Sequence, residues 1–312
     1  MGMRKCRRCV TRLADSGGKV TKKIRNQLVK FVFLGFFIGF TGIVDVRADE
    51  ALPPVNVISE PEDFSFFEVE SAECRAQVPT SARSLEVRNR LLGTFSQPGD
   101  FRRELTHQGF RPGDPVFFRI FKQTQGPEKG LMAVGQGQLE AWMLSKGASE
   151  YRLFKTYPIV AWGGALGPKF KEGDGQSPEG FYSVVPEALN PLSQFHLSMN
   201  LGFPNPYDQN LGRTGSYVMI HGGSQSGGCF VFSFPDDEEL YVLAEAAMMK
   251  CAREVPVAVF PFPLTEGHLK QSADLSWLSF WENLAEGYRI FEGLHRLPRV
   301  GVTHGRYTFQ EP

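Results

Sequence analysis

The sequence predicts an α+β fold: a mainly β, sandwich- or barrel-like domain with flanking helices. Three observations predict it. From Val116 onward the chain breaks into short apolar or alternating runs separated by Gly and Pro turn signals, the texture of a many-stranded domain. Its 33 Gly and 21 Pro in 312 residues suit frequent turns better than a helical bundle. Two later stretches carry apolar residues at three- and four-residue spacing, which marks helices. Hydrophobic content of 42% with 12% aromatics is enough to fill a core and argues against disorder.

In chain order, residues 1–48 come first. They hold eleven Lys/Arg against two acids, Asp15 and Asp45. Within them FVFLGFFIGFTGIV (31–44) is an uncharged run of fourteen residues, followed by Val46 and Ala48 at cleavage-site spacing. Basic head, short apolar run and small-residue site together predict a secretory signal. Fourteen residues make a helix of about 21 Å, short of the roughly 30 Å hydrocarbon core; an uncleaved membrane anchor is the alternative. Residues 49–114 read as an acidic, proline-marked linker and a short helical region, with the helix over 81–95.

Strands follow at VFFRIF (116–121), LEAWM (139–143), YRLFKTY (151–157), FYSVV (181–185), FHLSM (195–199), SYVMI (216–220), CFVFSF (229–234) and VAVFPF (257–262). Asp236, with Glu239 three residues on, is positioned to cap a helix bearing Leu240, Leu243, Ala244, Ala247, Met248 and Cys251 on one face. A second helix aligns Trp277, Phe280, Trp281, Leu284, Tyr288 and Phe291, a stripe that fits packing better than a ligand box. The β-rich domain is expected over 115–265, with a helical extension and tail over 266–312.

The formal net charge is zero, but it is segregated: +9 over residues 1–48 and −9 over the rest. An acidic body repels phosphates, so nucleic acid is not an expected partner. The sequence has no GxxxxGK[ST] and no strand-linked GxGxxG, so nucleotide binding has no support. Cys6 and Cys9 form a CxxC without two further ligands nearby, and no metal site or cofactor is expected. Removal of the leader leaves Cys74, Cys229 and Cys251. Three is odd for an oxidising compartment, so one thiol is free or pairs elsewhere. Parity alone suggests Cys74–Cys251, which frees Cys229; a buried thiol at Cys251 is the alternative.

The chemistry concentrates in SYVMIHGGSQSGGCFVFSF (216–234). An apolar strand ends at His221, seven residues with four glycines follow, and Cys229 opens the next strand. Such a loop can fold back and set a thiol beside an imidazole. A histidine that takes the thiol proton creates a thiolate nucleophile, and backbone amides nearby can hold an oxyanion. The bland alternative is a glycine-rich hairpin with an ordinary histidine and a buried cysteine. An esterase reading fails because the chain has no GxSxG.

IHGGSQSGGCFVF resembles the HG…SxGC signature of the L,D-transpeptidase (YkuD-type) catalytic domain, most closely its YafK-like subgroup. RIFK (119–122), LEAWM, the block 151–184, the block 189–216, VFPFPLT (259–265) and WLSFWENLAEGYRIFE (277–292) are similar to that subgroup in the same order. The resemblance covers residues 115–292. It implies Cys229 as nucleophile and His221 as base, with the Gly222 carbonyl orienting the imidazole. Ser226 and Gly228 match the S-x-G, and the amides of Gly228 and Cys229 are the implied oxyanion donors. His196, in a strand-like run, is either a pocket residue or a hydrogen-bonded core residue. Arg213, in the turn GRTG, is a candidate for a substrate carboxylate, with a plain surface arginine equally open. Glu179, Gly180 and Tyr182 line the cleft by analogy.

The chain departs from the family at Gly227, where most members carry a second histidine, and from the subgroup at Ser224 and Ser233. The implied substrate is the peptidoglycan stem peptide, with an envelope protein as a possible acyl acceptor or substrate. The implied site of action is the periplasm, and the only implied membrane contact is through residues 31–44, if uncleaved. Hydrolysis that releases wall-linked protein is the alternative outcome, and a non-catalytic wall-binding module is the alternative class.

Overall fold

In the computed structural model, residues 72–125, 137–273 and 275–312 are described. The expected secretory signal or anchor and the acidic linker lie outside the described residues.

Three helices come first: α1 (Ala72–Gln77), α2 (Ala82–Leu92) and α3 (Asp100–His107). α2 starts at Ser81, whose hydroxyl accepts from the Ser84 amide while the Ser84 hydroxyl accepts from the Ser81 amide. Two amides that no helical carbonyl could reach are thereby satisfied. The strands and remaining helices follow as β1 (Val116–Phe121), β2 (Gln138–Met143), β3 (Arg152–Pro158), β4 (Gly180–Val184), β5 (Leu189–Asn190) and β6 (Ser198–Asn200). Then come α4 (Pro206–Asn210), β7 (Met219–Gly222), β8 (Phe230–Phe232), α5 (Phe234–Met249), β9 (Val255–Phe260), α6 (Glu266–Gln271), α7 (Leu278–Leu294), β10 (Arg299–Thr303) and β11 (Arg306–Gln310).

The expected α+β class holds. One sheet has five strands in the order β3-β2-β1-β9-β4, antiparallel throughout except for the parallel β1–β9 pair. The second has four, β5-β6-β7-β8, with β7 and β8 parallel. A bridge from Ala161 to Val231 links the segment after β3 to β8.

Every residue of β1 is buried, which a sheet with one wet face would not produce. Phe118 and Ile120 face a core shared with Leu240, Leu243, Ala244 and Ala247 of α5. Phe117 and Phe121 face a second core with Trp281, Tyr288 and Phe291 of α7. α5 is therefore not a flank: Leu240–Met248 are all buried, and the helix contacts strands of both sheets.

Several boundaries differ from expectation for local reasons. The N-cap of α5 is Ser233, not Asp236: the Ser233 hydroxyl accepts from the Asp236 amide, and Pro235 fits the first turn because it has no amide to satisfy. Cys251 falls past the end of α5 in a left-handed conformation, off the helical face proposed for it. There it forms a disulfide with Cys74, Cα–Cα 5.2 Å, fastening α1 to the end of α5. His196 is not in a strand; its φ of 79° breaks the run before β6 begins at Ser198. The tail is not simply helical: β10 and β11 form a hairpin around His304 and Gly305, both at positive φ, as a two-residue turn requires.

Candidate active site

β7 delivers His221 and β8 is preceded directly by Cys229. The two strands pair in parallel, Ile220 with Phe230, His221 with Val231 and Gly222 with Phe232. One step back in that register, Cys229 comes opposite Met219, whose amide points at the thiol. Met219 and His221 are two apart on one strand and share a face. The Cys229 Sγ donates to the Tyr217 carbonyl at 3.5 Å, just ahead of β7.

The imidazole is buried and oriented from two directions. Its Nδ1 is 2.9 Å from the Gly222 carbonyl. A carbonyl only accepts, so Nδ1 carries the proton and Nε2 keeps its lone pair. The ring stacks on Phe195, with centroids 4.5 Å apart and planes at 28°. Gly222 has to be glycine here, because a Cβ would come within 2.6 Å of the Phe234 ring and 3.1 Å of the Asp237 carboxyl.

Ser226 closes the loop: its hydroxyl donates to the Cys229 carbonyl at 2.7 Å and accepts from the Gly228 amide at 3.1 Å. This corrects one expectation. The Gly228 amide is turned into the loop rather than toward an incoming oxyanion. For the Cys229 amide no carbonyl or hydroxyl partner is found among the described residues. A second clamp comes from the segment after β3. Ser177 donates to the same Cys229 carbonyl at 3.3 Å and accepts from the Gly163 amide at 2.9 Å. Gly163 passes so close to Gly228 that a Cβ would meet its amide nitrogen at 2.7 Å. That segment is held in turn by Lys122, which reaches the carbonyls of Ala165 and Gly167 and pairs with Glu179 at 3.0 Å.

Electrostatically the pair is at rest. Burial pushes the Cys229 thiol above its ordinary range, only partly offset by the Met219 amide and by Lys169. Burial also holds the His221 imidazolium below its ordinary range, against the opposing effect of the Gly222 carbonyl. Both shifts favour the neutral thiol and the neutral imidazole over a thiolate–imidazolium pair. Among the described residues no group of three or more His, Cys, Asp or Glu side chains is placed to hold a metal ion.

No protein-family model matches the chain. It is 34% identical over 222 residues to the Escherichia coli (strain K12) protein named "Putative L,D-transpeptidase YafK", spanning 71% of this chain and 84% of that one. The O157:H7 counterpart matches to the same extent. This chain belongs to the YafK-like L,D-transpeptidase family. Among solved structures, the helical cell shape determining protein Pgp2 from Campylobacter jejuni is similar at 20% identity and a TM-score of 0.35. That likeness covers 60% of this chain and 66%, just under two thirds, of Pgp2. Bd1075 from Bdellovibrio bacteriovorus is similar at 23% identity, covering 49% and 56%, with a TM-score of 0.29. Both likenesses are too loose to transfer residues.

The remaining residues expected of a family member are placed elsewhere. Arg213 is buried with its guanidinium on Asp208 at 2.7 Å and the rings of Phe170, Tyr207 and Phe280 around it. It is committed to an internal partner and does not present a free fork to a carboxylate. Tyr182 donates its hydroxyl toward the same Asp208 and the Glu179 carbonyl, inside the core rather than along a cleft. Glu179 is buried against Lys122 and Trp281, and Gly180 lies under the Tyr307 hydroxyl. His196 turns away from the thiol, its Nε2 2.8 Å from Glu238. Phe195 and Ser177, which do touch the imidazole and the Cys229 carbonyl, were not singled out from sequence. Phe195 had one visible signal, an aromatic beside the flagged His196; Ser177 had none outside the similar block.

No helix among the described residues is long and apolar enough to cross a membrane.

Proposed function

We propose that this protein is a cysteine acyltransferase of the bacterial wall, acting in the periplasm on peptidoglycan stem peptides with residues 115–265 as its catalytic part. Family membership supports the reaction class. The observation that carries the residue assignment is the parallel β7–β8 pair, with Nδ1 of His221 tied to the Gly222 carbonyl. That bond leaves Nε2 as the only ring atom able to take a proton.

As the thiol meets the carbonyl carbon between diaminopimelate and the terminal D-alanine, Nε2 accepts the Sγ proton and the sulfur–carbon bond forms. The oxyanion is met by the Cys229 amide, a donor of a kind worth about 3–4 kcal/mol. The imidazolium then returns its proton to the leaving amine, D-alanine departs, and a thioester remains. An amine from a second stem or an envelope protein attacks the thioester, losing its proton to His221 and restoring the thiol. Water in the amine's place gives hydrolysis and releases a wall-linked protein instead. Because burial favours the neutral forms, the ion pair is a minor fraction at rest, which limits loss of the thiol to stray electrophiles.

The test is intact mass after mixing the protein with tetrapeptide muropeptides. The expected result is an adduct equal to the muropeptide less D-alanine, absent in Cys229→Ala and strongly reduced in His221→Ala. Supplying an amine acceptor or wall-linked protein then separates transfer from hydrolysis by product mass. Wild-type protein that binds muropeptides and never forms the adduct would establish a wall-binding module and sink the proposal.

A further inference from the structure

Phe195 covers the imidazole, and the chain around it is built to keep it there. His196, the next residue, has a φ of 79°, in the left-handed region that few residues besides Gly, Asn, Asp and His adopt. The setting is visible. From α2, Arg83 donates to the carbonyls of Ser193 and His196 at 3.0 and 2.6 Å, and Ser81 donates to the Pro191 carbonyl at 3.0 Å. From α5, Glu238 meets His196 Nε2 at 2.8 Å and also pairs with Arg90 of α2. Inside the turn, the Phe195 amide donates to the Ser193 hydroxyl at 3.1 Å, and Leu197 is fully buried. With His196 turned toward Glu238 and Leu197 inward, Phe195 is left over the His221 ring. One face of Phe195 meets the imidazole while the residue stays 38% exposed.

We infer that Phe195 is a positioning residue for the proton transfer from Cys229, and that the Arg83–His196–Glu238 contacts are its anchor. The inference rests on His221 acting as base to Cys229. A stacked aromatic fixes the plane of the imidazole, and with it the direction of the Nε2 lone pair. Its π-face also attracts the imidazolium more than the neutral ring, opposing the burial that disfavours the charge. The benefit therefore falls on the ion-paired form that exists only when the thiol has given up its proton.

The consequence is a pH signature. Between the titrations of the two groups the ion pair is a small fraction that does not vary with pH, and it supplies most of the thiolate at the lower end of that interval. Thiolate beside neutral imidazole rises with pH and takes over toward the upper end. Above both, thiolate faces neutral imidazole and Phe195 no longer matters. The experiment measures iodoacetamide labelling of Cys229 in the full chain from pH 5 to 11, read at the Cys229 peptide by mass spectrometry. Phe195→Leu is expected to lower the neutral-pH rate about fivefold, equivalent to about 1 kcal/mol, and leave the alkaline rate unchanged. Phe195→Tyr, which keeps the ring, is expected to restore the wild-type profile. Glu238→Gln leaves the ring in place and loosens its anchor; it should move the neutral rate the same way by less, and keeps the idea testable should Phe195→Leu fail to fold.

A Phe195→Leu or Glu238→Gln protein that melts earlier but keeps the wild-type ratio of neutral to alkaline rates overturns the inference. His221→Ala is run alongside. If it leaves the profile of the wild type untouched, the assignment of the base fails; if it changes the profile and Phe195→Leu does not, only the role of Phe195 fails.

Discussion

Replacing Lys122 by Met tests the support beneath the loop that carries Cys229. Lys122 and Glu179 are both fully buried and 3.0 Å apart. Burial pulls the Lys122 ammonium below its ordinary range, and the neighbouring Glu179 carboxylate pushes it back up. Lys122→Met removes the cation and leaves the carboxylate inside, where breaking such a pair costs about 3–5 kcal/mol. Glu179 would still accept from the Gly167 amide at 2.7 Å and the Trp281 indole at 2.8 Å, which argues for the lower end. With a urea slope near 3 kcal/mol/M, the upper part of the usual range, the unfolding midpoint should fall by about 1 M. Adding Glu179→Gln removes the stranded charge while keeping an acceptor oxygen, and should recover at least half of the loss. Both are read by urea titration followed by circular dichroism. A single variant within about 0.5 kcal/mol of wild type, or a double no better than the single, would refute the reasoning. Because Lys122 also holds the segment that brings Gly163 against Gly228, the single variant should slow labelling of Cys229 as well.

Two further outcomes are expected. The Cys74–Cys251 disulfide closes a separation of 177 residues, so Cys74→Ser with Cys251→Ser should cost about 3–5 kcal/mol, seen as a fall in Tm of about 10 °C by calorimetry. Glu245, fully buried beside Arg88, has its carboxyl pushed up to about 7 by burial. A folded pKa above the unfolded one means the folded state binds the extra proton between about pH 4.5 and 7, so stability falls as pH rises through that window. Glu245→Gln should flatten this slope and raise stability at pH 8 by up to about 3 kcal/mol; equal slopes for both proteins in urea titrations across pH would count against it.

Much of the fold was legible because local pattern and tertiary surroundings agree. VFFRIF is β1 residue for residue, and the stripe Trp281, Leu284, Tyr288, Phe291 is the buried side of α7. The amphipathic pattern assigned to α5 understated its burial, since sequence spacing registers one apolar face and cannot tell that strands of both sheets will close around the helix. The hairpin at 299–310 had a readable signal that went unused: Val300 and Val302, then Tyr307 and Phe309, alternate on either side of a His-Gly turn.

Of the candidate site, His221, Gly222, Ser226 and Cys229 lie on the paired strands β7 and β8 and the loop that joins them, because all sit within nine residues. Arg213 and Tyr182 did not, because both are claimed by Asp208, an acid that nothing in the sequence marks as their shared partner. Phe195 was hidden for the same reason in reverse. Only the fold shows that the ring beside a suspect histidine covers the other histidine instead.

The bond between Cys74 and Cys251 does more than fasten a helix. It retires two of the three cysteines beyond residue 48, and the remaining one carries the sulfur proposed to react. Loss of either half would leave an idle thiol free to capture Cys229 in its own chain or in another. A substitution at Cys251, at the opposite end of α5 from the His221 strand, would therefore act on the proposed reaction by capturing its sulfur as well as by weakening the fold.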